Sequence, residues 1–98
     1  MGITVLHVED CPSLGLLRPR LTEALERVGV AATHDERVVA ADDDAIELGF
    51  GGSPTILIDG RDPFPADSAN ALTCRLYPTP SGWQGAPTVD QLVEVLAS

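Results

Sequence analysis

The segment from Ala45 to Asp59 constrains the fold of this chain more than any other stretch of its sequence. It reads A-I-E-L-G-F-G-G-S-P-T-I-L-I-D, which predicts the end of a short helix, a glycine turn, and a strand opened by Pro54. Proline lacks a backbone N–H and is tolerated at the first residue of a strand. An X–Pro bond costs only about 0.5–1 kcal/mol to become cis, so a tight helix-to-strand turn can hold the bond after Ser53 in that form.

Length and composition predict one globular domain spanning residues 1–98. A chain of this size buries roughly two-thirds of its unfolded surface, which is enough for a stable core without metal or disulfide staples. The apolar fraction of 44% and the charged fraction of 21% are those of an ordinary globular protein. No apolar run approaches the roughly 20 residues of a membrane span, and no basic-then-apolar leader precedes the first strand. We therefore expect a cytoplasmic protein without a membrane partner.

The charge of the chain restricts its partners. Fifteen acidic residues face six arginines and no lysine, which gives a net charge of −9. Nucleic acid and anionic membranes need a basic face, so neither is expected as a partner. The two cysteines do not form a disulfide framework, so a reducing compartment is expected. The two cysteines and two histidines also lack the spacing of zinc ligands, so neither a structural zinc site nor another cofactor is predicted.

The pattern of apolar, glycine and proline residues predicts the element order β-α-β-α-β-β-α. The predicted elements are a strand at 3–8, a helix at 12–28, a strand within 30–39, a short helix at 42–48, strands at 55–58 and 72–77, and a final helix from 88. Long loops are expected at 59–71 and 78–87. Pro19 predicts a kink in the first helix, and Thr88 with Gln91 forms a capping box before the last one. The predicted fold is α/β, with helices on both faces of a four-stranded mixed sheet.

Two local motifs resemble the thioredoxin family. One is the segment G-F-G-G-S-P-T at 49–55, and the other is the spacing of eight residues between Cys11 and Pro19. The resemblance implies the minimal thioredoxin-like fold, with a cis-proline at position 54 facing Cys11. It also implies that Pro54 keeps the backbone of Ser53 exposed beside Cys11, where it can pair with an extended peptide or a thiol ligand, with Pro12 as a further substrate-binding residue.

The chain departs from thioredoxin at the active-site motif. Residues 11–14 read C-P-S-L, so Leu14 occupies the position of thioredoxin's resolving cysteine, and Asp10 occupies that of its tryptophan. The chain is more specifically similar to small thioredoxin-like proteins often labelled alkylmercury-lyase-related. That resemblance is carried by D-C-P at 10–12, G-S-P-T-I-L-I-D-G-R-D-P-F at 52–64 and T-C-R-L-Y at 73–77.

Cys11 is the predicted nucleophile. It lies between a strand and a helix, where the helix N-terminus stabilises a thiolate, although the carboxylates of Glu9 and Asp10 oppose that effect. A resting disulfide with Cys74 is not expected, because two strand spacings of about 4.8 Å each separate the predicted positions. A disulfide needs Cα atoms within about 7 Å. Strand parity places Cys74 with Leu76 on the core face.

Several other side chains have simpler structural interpretations. Trp83, in the second long loop, either covers the thiol or anchors the loop. His7 is expected to be a buried, hydrogen-bonded residue of the first strand, and His34 is expected to face solvent. The acidic run at 42–44 is typical of a helix start. A hydrogen-bonded turn network is expected after the third strand, formed by Asp59, Arg61 and Asp62.

Three functions are consistent with these residues. The first is a thiol redox protein that uses Cys11 in thiol–disulfide or thiol-conjugate chemistry, with a thiol- or disulfide-bearing protein or a small thiol as partner. The second is a non-catalytic thioredoxin-fold binding module, which the replacement of the resolving cysteine by Leu14 favours. The third is organomercurial cleavage by Cys11, Cys74 and a carboxylate such as Asp10, which the predicted strand separation disfavours.

Overall fold

The computed structural model describes residues 2–30, 33–41, 44, 47, 50–64 and 75–97. Within these residues the chain is a mixed α/β protein with two helices and five strands in two sheets. In chain order the elements are β1 (Ile3–His7), α1 (Leu14–Val28), β2 (His34–Val38), β3 (Thr55–Ile58), β4 (Tyr77–Thr79), β5 (Gly82–Gln84) and α2 (Val89–Ala97).

The larger sheet is built around β1. Its order is β2-β1-β3, with β2 parallel and β3 antiparallel to the central strand. Ile3 of β1 lies opposite His34 on one side and Ile58 on the other. The apolar run that predicted a central strand is therefore confirmed, because both edges of β1 are paired.

Both faces of β1 are covered by apolar side chains. Successive residues of a strand point to opposite faces, and Val5 and Leu6 accordingly belong to two different core clusters. The cluster on the Val5 face includes the buried residues of the two helices: Leu14, Leu17, Leu21, Ala24, Leu25, Leu92 and Leu96. The cluster on the Leu6 face includes Val39 and Phe50. Of the helix predicted at 42–48, the structure describes Asp44 and Glu47, and both are helical.

The ends of the two helices follow from local capping residues. Helix α1 begins at Leu14 rather than at Pro12, because Pro12 and Ser13 form a turn before it. It ends at Gly29, whose φ of 78° lets its N–H donate to the carbonyls of the last turn. Helix α2 is preceded by the predicted capping box, in which the N–H of Gln91 donates to Thr88 Oγ1 at 3.2 Å and the N–H of Thr88 donates to Gln91 Oε1 at 2.9 Å.

Strand β2 is an exposed edge strand, as its weak alternation predicts. A bidentate ion pair fastens it to α1: Arg18 donates to the two carboxylate oxygens of Glu36 at 2.6 and 2.7 Å. His34 Nε2 donates to the same carboxylate at 3.0 Å. The expectation that His34 faces solvent is wrong, because its ring lies against Glu36 and its side chain is only 18% exposed.

The turn after β3 closes the sheet against the N-terminus. The N–H of Asp59 donates to the carbonyl of Gly2 at 2.7 Å, and the N–H of Gly2 donates back to Asp59 Oδ1 at 2.8 Å. Ile58 and Arg61 exchange backbone hydrogen bonds, and Asp62 Oδ1 accepts the N–H of Phe64 at 2.9 Å. The predicted turn network is confirmed. Asp62 takes part in it by accepting the N–H of Phe64, which lies in the segment after the turn.

The region after residue 74 differs from the prediction. A loop is predicted at 78–87, but the structure has the hairpin β4–β5 there, in which Pro78 lies opposite Trp83. Pro80 and Ser81 form its turn, and Gly82 has the positive φ of 102° that the turn requires. The prolines at 78 and 80 suggested a loop, but a two-stranded hairpin has free edges on which proline costs no ladder bond.

The predicted fourth strand at 72–77 falls mostly outside the described residues. Of its described part, Tyr77 begins β4, and Arg75 runs beside the segment that leads into β3, where its N–H donates to the carbonyl of Ser53 at 2.8 Å.

We expect Gly52→Ala to lower the free energy of unfolding by about 1–3 kcal/mol, the cost of a strained backbone position. Gly52 has a φ of 107°, and an added Cβ would lie 2.8 Å from Cβ of Arg75. Gly60→Ala is the matched control, since its φ is 83° but its Cβ would meet no described atom within 4 Å. Urea unfolding of both variants measures the difference, and equal losses would contradict the steric part of this expectation.

The Glu36 ion pair should give a pH-dependent contribution to stability. Hydrogen bonds from Arg18, and secondly from His34, lower the pKa of Glu36 from 4.5 to about 2. A carboxyl group with a depressed folded pKa contributes fully above its unfolded pKa and loses that contribution as the pH falls through the folded pKa. The stability difference between wild type and Glu36→Gln should therefore shrink between pH 4.5 and pH 2.

For a half-exposed pair this difference is expected to be about 1 kcal/mol or less. Arg18→Gln removes the larger cause of the lowered Glu36 pKa. The pKa of Glu36 in the folded protein should then lie closer to 4.5, so the stability difference should be lost over a narrower pH range. Urea unfolding across this pH range is the measurement, and a difference that stays constant down to the acid end would contradict the assignment.

Candidate functional site

Cys11 lies in the turn that joins β1 to α1. Asp10, just before it, has a φ of 57°, which turns the chain sharply, and the carbonyl of Cys11 accepts the N–H of Leu14 at 3.4 Å. Cys11 is a free cysteine and is only 7% exposed. It packs in the same core cluster as Leu14 and Ala86, so the thiol borders the core and has little contact with solvent.

The Ser53–Pro54 segment meets the same end of β1. The N–H of Val8, which directly follows β1, donates to Ser53 Oγ at 3.0 Å. The Ser53–Pro54 peptide bond is cis, as the sequence allowed. The expectation that Ser53 is exposed is wrong: the residue is fully buried, and its carbonyl accepts the N–H of Arg75. Its carbonyl is therefore already occupied and is not available for pairing with an added strand.

Tyr77 contacts this segment from the hairpin β4–β5. Its buried hydroxyl donates to the carbonyl of Pro54 at 2.5 Å, and its ring stands edge-on to Phe64 with centroids 5.4 Å apart. Burial raises the pKa of Tyr77; Arg75 opposes the rise, while the charges of Asp62 and of a Cys11 thiolate add to it.

A buried arginine completes the surroundings of Tyr77. Arg75 donates to Asp62 Oδ2 at 2.6 Å and to the carbonyl of Phe64 at 3.0 Å, and its guanidinium carbon lies 4.4 Å from the centre of the Tyr77 ring. A buried charge is tolerated when it is paired and fully hydrogen-bonded. In the sequence, Arg75 and Tyr77 belong to the motif T-C-R-L-Y at 73–77, and no local pattern predicts either of them as a site residue.

The burial of Arg75 and Tyr77 means that residues 75–77 turn the opposite side to the core from the one predicted. Parity placed Leu76 on the core face, but Leu76 is 59% exposed while its two neighbours are buried. The preference of leucine for the core is outweighed because Asp62 neutralises Arg75 and the Tyr77 ring stacks on it. Cys74, the second cysteine of the predicted site, lies outside the described residues, as do Asp42 and Asp43 of the acidic run.

The hairpin β4–β5 turns a polar side chain toward this site. Gln84 lies opposite Tyr77, on the inner face of the hairpin. Its Oε1 is buried and has no hydrogen-bond partner among the residues that the structure describes. The next residue, Gly85, packs so closely on the start of α1 that an added Cβ would lie 2.3 Å from Ser13 Oγ.

The outer face of the same hairpin carries Trp83. The indole is 70% exposed, so it does not anchor this segment in the core, which was one of its two predicted roles. Pro12, beside the thiol, is also exposed. His7, by contrast, is buried, and its Nδ1 donates to the carbonyl of Val8 at 2.9 Å, which confirms the structural role predicted for it.

Comparison with known proteins leaves the site to be interpreted from its own geometry. No protein-family model, curated protein or solved structure matches this chain. No described helix has the length and apolar character needed to cross a membrane. Among the described side chains, no group of three or more histidine, cysteine, aspartate or glutamate residues could hold a metal ion.

We expect Gln84→Met to raise the free energy of unfolding by about 1–3 kcal/mol, because it removes a buried oxygen that has no partner among the described residues. Gln91→Met is the matched control. The Gln91 amide accepts the N–H of Thr88 and donates to the carbonyl of Pro78 at 2.8 Å, so this variant should be less stable than wild type. Urea unfolding of both variants is the measurement, and a loss of stability in Gln84→Met equal to that in Gln91→Met would contradict the interpretation.

Proposed function

We propose that this chain is a thioredoxin-like thiol redox protein that uses Cys11 as its single nucleophile in thiol–disulfide or thiol-conjugate exchange. The observation that carries the proposal is the position of Cys11. It lies in the turn between β1 and α1, directly after the end of β1 that contacts Ser53. A reactive cysteine is favoured where a strand ends and a helix begins, because the helix N-terminus stabilises the thiolate.

The start of α1 carries no side chain that neutralises the helix dipole. The first turn of α1 contains no acidic residue, and the Ser13 side chain makes no capping hydrogen bond to it. The partial positive charge of the helix end is therefore not neutralised from within the helix. Glu9 and Asp10 are exposed and act in the opposite direction.

The proposed reaction is thiolate exchange through a mixed disulfide. The Cys11 thiolate attacks one sulfur of the partner disulfide, the new S–S bond forms, and the second partner sulfur leaves as a thiolate that takes up a proton. Buried Leu14 cannot resolve this intermediate, so a second thiolate must attack it, regenerate Cys11 and form the product disulfide. A free thiol such as glutathione can supply that step.

Within this proposal the fold is the minimal thioredoxin-like one. The order β2-β1-β3 with one parallel and one antiparallel pair supports it. So does the backbone bond from Arg75 to Ser53, which brings the chain before β4 alongside the entry to β3. Ser53 and Pro54 then shape the corner in which Cys11 lies, while Pro12 and Trp83 are the exposed residues available to a partner.

A non-catalytic binding module is the second candidate, and the low exposure of Cys11 favours it. A thiol that packs with Leu14 in the core could serve packing alone. Organomercurial cleavage would additionally require Cys74 close to Cys11, and Cys74 lies outside the described residues.

The proposal predicts that Cys11 reacts in the native protein. In a Cys74→Ser background, iodoacetamide at mildly alkaline pH should add one carboxamidomethyl group to the folded chain, detected by mass spectrometry. Oxidised glutathione should give a mixed disulfide that added thiol releases. The double variant Cys11→Ser, Cys74→Ser is the control and should take up neither label.

Turnover provides the second part of this test. In a glutathione-coupled disulfide reduction assay, Cys11→Ser should reduce the rate to background, and Cys74→Ser should retain it. If Cys11 is labelled only after the protein is unfolded in urea, Cys11 is not a nucleophile in the folded protein. The redox proposal would then fail, and the non-catalytic binding module would be the remaining candidate.

A further inference from the structure

The exposed side of the hairpin β4–β5 is an apolar surface that no described part of the chain covers. We define the hairpin face as Leu76, Pro78 and Trp83. Leu76 and Trp83 are 59% and 70% exposed, and Pro78, which is exposed as well, lies directly opposite Trp83. The inner side of the hairpin carries Tyr77 and supplies the packing, so the fold itself does not need an apolar residue at these three positions.

The hairpin face adjoins the turn that carries Cys11. Gly85 follows β5 and lies against Ser13, two residues after the cysteine. Ala86, the next residue, packs in the same core cluster as Cys11. A protein segment bound on the hairpin face would therefore lie next to the turn that carries the thiol.

The charge of the whole chain favours a basic occupant. Four of the six arginines are already engaged by groups of this chain: Arg18 by Glu36, Arg27 by Glu23 and Asp90, Arg75 by Asp62, and Arg20 by two backbone carbonyls. Glu9 and Asp10, next to Cys11, are exposed and form no ion pair with any described residue. A chain with a net charge of −9 repels a second copy of itself and attracts a cationic partner.

We propose that the hairpin face docks a basic, apolar segment of the protein whose thiol or disulfide reacts at Cys11. An arginine or lysine of the segment stacks on the exposed indole of Trp83, and an apolar side chain packs on Leu76 and Pro78. Glu9 and Asp10 attract the remaining positive charge. The nature of the reacting group rests on the proposed function, whereas the docking is non-covalent and can be measured without it.

Trp83 is the only tryptophan of the chain, so its fluorescence reports on this surface directly. The probe is a cysteine-free synthetic peptide in which arginine alternates with leucine, and the matched peptide carries glutamate in place of arginine. The arginine peptide should shift the emission to shorter wavelength in a saturable way, and added salt should weaken its binding. Equal binding of the two peptides would overturn the proposal.

Variants locate the binding surface. By calorimetry, Trp83→Thr should bind the arginine peptide about tenfold or more weakly. Val38→Thr changes another exposed apolar residue, 49% exposed on the edge strand β2, and should bind like wild type. Asp10→Asn should weaken binding and reduce its salt dependence, and asparagine tolerates the φ of 57° at this position. Equal effects of Trp83→Thr and Val38→Thr would overturn the proposal, as would self-association that the Trp83 substitution abolishes.

The outcome for docking and the outcome for the thiol can be told apart. Cys11→Ser should bind the arginine peptide as tightly as wild type, because the peptide has no thiol. If the peptide binds but Cys11 cannot be labelled in the folded protein, the docking surface is supported and the redox proposal fails. If Cys11 exchanges with glutathione but the peptide does not bind, the redox proposal is supported and the assigned partner is wrong.

Discussion

The buried guanidinium of Arg75 holds together the part of the molecule in which the candidate site lies. It pairs with Asp62, donates to the carbonyl of Phe64, and stacks on Tyr77, whose hydroxyl in turn holds the carbonyl of Pro54. The backbone N–H of the same residue donates to Ser53. One residue thus connects the turn after β3, the entry to β3 and the hairpin. Because an unpaired buried charge is costly, these segments depend on one another.

This dependence explains why the hairpin has an unusual distribution of polar and apolar groups. Its inner side carries Tyr77 and Gln84 toward the buried polar cluster, and its outer side carries Pro78 and Trp83 into solvent. An amphipathic hairpin ordinarily buries its apolar side. Here the aromatic ring on the inner side both fills space and receives the arginine, so the apolar residues of the outer side remain exposed.

The sequence predicted those elements whose signals are contiguous along the chain. The apolar run of β1, the helical spacing in α1 with Gly29 at its end, and the Thr88–Gln91 capping box all appear as expected. Cys11 was correctly expected in the joint between the first strand and helix. Each of these features depends on residues within a few positions of one another, so local geometry suffices to predict them.

The errors involve residues that depend on distant partners. Leu76 was assigned to the core by strand alternation, and Ser53 was expected to be exposed by resemblance, but both assignments change because Arg75 lies inward. His34 was expected in solvent because its neighbours are charged, and no local pattern indicated that Glu36 would hold it beside α1.

By itself the sequence determined a small acidic α/β chain with a cysteine at its first strand–helix joint and a proline-led third strand. Only the tertiary structure decided which side of residues 75–77 is buried, and therefore that Trp83 faces outward. The physical reason is that arginine becomes a core residue only when a carboxylate and an aromatic face are supplied to it. Asp62, thirteen residues before Arg75, meets it only after the chain has folded.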